Sequence, residues 1–112
     1  MLDAVAAAGA HAGVRPAVTG SAGAGALYAC LDPGTEHDIA VRFVRTLRER
    51  LDSGAFREPR GSVVVLAAPA PVMATAGAYG VYGSVPGAAL MRAIKDQFDP
   101  DHRMFPGRLA AI

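Results

Sequence analysis

The sequence predicts an α+β fold: a small sheet with helices on one face, ferredoxin-like or part of a cap domain. Two observations carry this. Apolar residues recur at three- and four-residue steps in two stretches, Ile39, Phe43, Val44, Leu47 and Leu51, then Leu90, Ile94 and Phe98. Short apolar runs at 14–19, 26–31 and 62–66, flanked by Gly and Pro, read as strands.

The elements follow in order. Residues 2–11 are Ala-rich and suit a helix, because Ala carries the smallest conformational cost there; Gly13 ends it. Residues 14–19 form a first strand, and the glycine-rich 20–25 is a bend leading into a second at 26–31. Asp32-Pro33-Gly34 is a turn. Thr35 and Asp38 match a capping box at the start of the clearest helix, which Gly54 ends. The β-branched run 62–66 fits a strand covered on both faces, so 26–66 reads as a right-handed β-α-β unit. Residues 67–83 look irregular, with Tyr79 and Tyr82 packing in a tight loop. Ser84 can cap a final helix with Pro86 in its first turn, Leu90, Ile94 and Phe98 as its buried stripe, and a possible Lys95–Asp99 pair. Pro100 stops it.

Bulk properties exclude several function classes. At 112 residues the chain is one domain or part of one, and the domain reading spans 1–112 without a linker. A net charge of +1 offers no basic field for nucleic acid, and Arg42, Arg45, Arg48 and Arg50 read as a solvated helix face with Glu49 and Asp52 among them. No run approaches the roughly 20 apolar residues of a membrane span. Cys30 is the sole cysteine and sits in an apolar run, which reads as a buried small hydrophobe in a reducing, cytoplasmic compartment.

The candidate chemistry is sparse. Gly20, Gly23 and Gly25 lack the spacing of a dinucleotide loop, and a strand rather than a helix follows them. His11, His37 and His102 do not combine with Glu36, Asp38, Asp99 and Asp101 at metal-ligand spacing, and the acidic pair suits a helix N-terminus instead. No Ser-His-Asp constellation has a nucleophile elbow. No catalytic residue and no metal ligand is assigned.

The most structured signal is the tail. Val85-Pro86-Gly87, Leu90-Met91-Arg92, Lys95-Asp96-Gln97-Phe98-Asp99-Pro100 and Pro106-Gly107-Arg108 together resemble the C-terminus of FAD-linked oxidases of the vanillyl-alcohol oxidase type. More narrowly, they are similar to the FAD-binding subunit of bacterial glycolate oxidase. Residues 15–28 resemble an earlier strand region of that subunit. Tyr82-Gly83 stands where that family often has Trp-Gly, and Ala110-Ala111-Ile112 where it often ends Gly-Gly-Ile.

The resemblance implies the C-terminal, cap or substrate-side portion of an oxidoreductase that oxidises a 2-hydroxy acid such as glycolate. FAD would be bound mainly by a separate FAD-binding domain, for which the sequence has no room. Arg103, Pro106, Gly107 and Arg108 would dock the tail near the flavin, and the partners would be that domain or other oxidase subunits. Such a piece would be inactive alone and would expose an apolar face. The alternative is a small non-catalytic interaction subunit or binding module.

Overall fold

The computed structural model describes residues 1–52, 61–75, 80–83, 85 and 87–104. In chain order these form α1 (Leu2–Ala12), β1 (Ala17–Ser21), β2 (Ala26–Cys30), α2 (His37–Asp52), α3 (Ala70–Thr75) and α4 (Ala88–Phe98). The α+β class is therefore what forms, with a small two-stranded antiparallel sheet.

Helix α1 ends as its composition dictates. Gly13 adopts φ 77° and ψ 27°, a left-handed conformation that costs a residue with a Cβ about 1–2 kcal/mol. Its N–H donates to the carbonyl of Ala10 at 3.3 Å, and that of Val14 donates to Gly9 at 2.9 Å. Two otherwise unpaired helix-end carbonyls are thereby satisfied in a Schellman arrangement. The chain turns back tightly enough that a Cβ on Gly9 would lie 2.8 Å from the Val14 carbonyl oxygen.

The glycine-rich stretch is the turn of a hairpin. Its register pairs Ala17 with Cys30, Thr19 with Tyr28 and Ser21 with Ala26. The Ala24 N–H donates to Ser21 Oγ at 3.2 Å and that of Gly25 to the Ala22 carbonyl at 3.2 Å. Every hairpin residue except the half-buried Leu27 is exposed. Cys30, expected to be buried, is exposed for that reason: it ends a strand whose faces nothing covers among the described residues.

The core lies between helices. Ala4, Val5, Ala8 and Ala12 of α1 meet Phe43 and Leu47 of α2. Ile39, Val44 and Leu51 pack against this cluster, so the stripe read from the sequence along α2 is the one that buries. Small alanines on α1 let the helices approach while Phe43 supplies volume. Helix α2 also packs against α3, whose Val72 is buried.

Three expectations are corrected. The β-α-β crossover over 26–66 does not form: residues 61–66 run outside the sheet, which has two strands among the described residues. The physical reason is that other partners take its polar groups. Val65 N–H donates to the Val81 carbonyl at 2.9 Å, and Arg48 donates to the Val63 carbonyl. Next, part of the supposedly irregular 67–83 is helical. Pro69 accepts from the N–H groups of Val72 and Met73, at 2.9 and 3.1 Å, and Pro71 sits in the first turn, where a missing donor costs nothing. Last, the stripe of α4 is not buried. Leu90, Ile94 and Phe98 are 66%, 49% and 84% exposed, because no other described element packs over them. The helix stops predicted at Gly54, the loop residue Tyr79, and the Ser84 cap with Pro86 lie outside the described residues.

Candidate functional site

The tail is organised around one carboxylate. Helix α4 ends at Phe98, and Asp99 adopts φ −138° and ψ 63°, turning the chain as the following Pro100 requires. Asp99 is buried, with 7% exposure. Its Oδ2 accepts from Lys95 Nζ at 2.6 Å and from the Met104 N–H at 2.9 Å; its Oδ1 accepts from the Arg103 N–H at 2.7 Å. Lys95 Nζ also donates to the Met104 carbonyl at 3.0 Å. One i, i+4 pair on the last helical turn thus captures the chain five residues on.

This network sets the protonation of Asp99. The hydrogen bond from Lys95, then the amide of Met104, favour the charged form and hold the carboxyl down at about 2. Around it, His102 takes a positive φ of 51° with Nε2 3.8 Å from Asp96 Oδ1, and Arg103 Nε lies 3.8 Å from Asp101 Oδ2. Both contacts are exposed, and the Arg103–Asp101 ion pair is of the kind worth little to stability.

Of the sequence-derived site residues, Arg103 stands on this folded-back segment with its side chain in solvent. Its backbone is fixed by Asp99. Pro106, Gly107 and Arg108 lie outside the described residues. The Lys95–Asp99 pair was legible from its spacing; the capture of the 103 and 104 amides was not, since an Asp before Pro announces a turn without its partners.

Arg48 is the polar residue that sequence reasoning missed. Its spacing among Arg42, Arg45 and Arg50 predicts a solvated face, yet it is half-buried and bridges two segments. Nε and Nη2 donate to the Val63 carbonyl at 3.3 and 3.2 Å, and Nη2 donates to the Val81 carbonyl at 3.0 Å. Burial lowers its pKa below the ordinary arginine value, opposed by the charge of Asp52. The arrangement is a structural clamp on backbone oxygens.

An open, mainly apolar groove of about 640 Å³ runs between α1 and the start of β1, lined by Leu2, Ala6, Val14, Pro16 and Val18, with Arg15 among its walls. Among the described residues no three His, Cys, Asp or Glu side chains gather as a metal site. His11 lies near the end of α1, His37 opens α2 and His102 is in the tail. No helix among the described residues is long and apolar enough to cross a membrane.

A flavin would need a glycine-rich loop with amides open to its pyrophosphate. In the hairpin turn, the Ala24 and Gly25 amides are instead engaged with Ser21 and Ala22. The Ala24 and Gly25 amides of this turn are therefore not open to a phosphate.

A scan against protein-family models, a search of curated proteins and a search of solved structures each found no match.

Proposed function

We propose that this chain is the C-terminal, cap-side portion of an FAD-dependent oxidoreductase subunit that oxidises a 2-hydroxy acid such as glycolate, and that it is inactive alone. The support is the resemblance of the tail together with one structural observation: α4 carries an apolar stripe, Leu90, Ile94 and Phe98, facing solvent. A helix amphipathic in sequence but bare in structure is the condition of a unit lacking the surface it packs on. In this reading FAD belongs to the FAD-binding domain or partner subunit, in the cytoplasm. Arg103, Pro106, Gly107 and Arg108 would belong to the tail that returns toward it. The folded Asp99–Met104 segment would present Arg103 on a backbone with little freedom left to lose on docking.

The second reading, a small non-catalytic interaction module, is favoured by a different observation. The α1–α2 core and the Arg48 clamp tie together distant parts of this chain by its own contacts. A unit built that way can stand alone.

The test begins with the purified chain titrated with FAD and followed by fluorescence quenching. No saturable binding is expected from a folded chain. The tagged chain is then purified from its native cells, and the eluate is examined for a flavin spectrum and for glycolate-dependent dye reduction. A flavin bleached by glycolate supports the oxidoreductase reading. A stable, colourless chain that neither carries flavin nor reduces dye overturns it in favour of the module.

A further inference from the structure

We draw no further inference here: the strongest candidate, the exposed apolar stripe of Leu90, Ile94 and Phe98 along α4, already supports the proposed function, and nothing in the structure shows what covers it.

Discussion

Arg48 and Gly83 share one contact. A Cβ on Gly83 would lie 3.0 Å from Arg48 Nε and 3.0 Å from the Val63 carbonyl oxygen that the same guanidinium holds. Gly83 also has φ 71°. The clamp closes because this position carries no side chain. Gly83→Ala should therefore lose the left-handed preference, about 1–2 kcal/mol, and disturb the Arg48 contact as well. Urea denaturation should show a lower midpoint. An unchanged midpoint would mean that the 80–83 segment moves away without cost.

Removing the donor tests the clamp from the other side. Arg48→Met keeps the stem and deletes the hydrogen bonds to Val63 and Val81. The Val81 carbonyl retains the Val65 N–H, whereas the Val63 oxygen loses its guanidinium. A loss of about 1–3 kcal/mol is expected, the range for charged donors to part-buried carbonyls. Arg48→Lys should recover less than half, because an ammonium cannot reproduce the planar fork. Equal stability of all three proteins would assign Arg48 to the solvated surface.

Two phenylalanines of similar sequence character should behave in opposite ways. Phe43 is 3% exposed in the α1–α2 core, and its change to Ala should cost about 3–5 kcal/mol. Phe98 is 84% exposed, and Phe98→Ser should stay within about 0.5 kcal/mol. Thermal melts of both variants check this. A large loss for Phe98→Ser in the isolated chain would show that the stripe is covered in solution.

The Asp99 network predicts an acid transition in the tail. Its folded pKa is depressed to about 2 from an ordinary 3.8, so the charged form is favoured by folding. Its contribution is fully present above the unfolded value and is lost as the pH falls through the folded one. The Arg103 and Met104 amides should hold constant NMR shifts at neutral pH and move together between about pH 4 and pH 2. Asp99→Asn should abolish that movement and speed hydrogen exchange at both amides. A transition centred near the ordinary carboxylate pKa would refute the network.

Much of this fold was readable along the chain, where the determining interactions are local. The Gly13 stop on α1, the Pro100 stop on α4, the stripe on α2 and the Lys95–Asp99 pair follow from steric limits of single residues or from helical spacing. Tertiary structure decided matters that depend on distant partners. Residues 62–66 have the composition of a covered strand, yet Arg48 and the Val81 carbonyl took up their polar groups. The α2 and α4 stripes look alike in sequence, but α1 covers the first and no described element covers the second. Periodicity states which face a helix would bury. Whether that face is buried depends on surface supplied from elsewhere, which a local pattern does not encode.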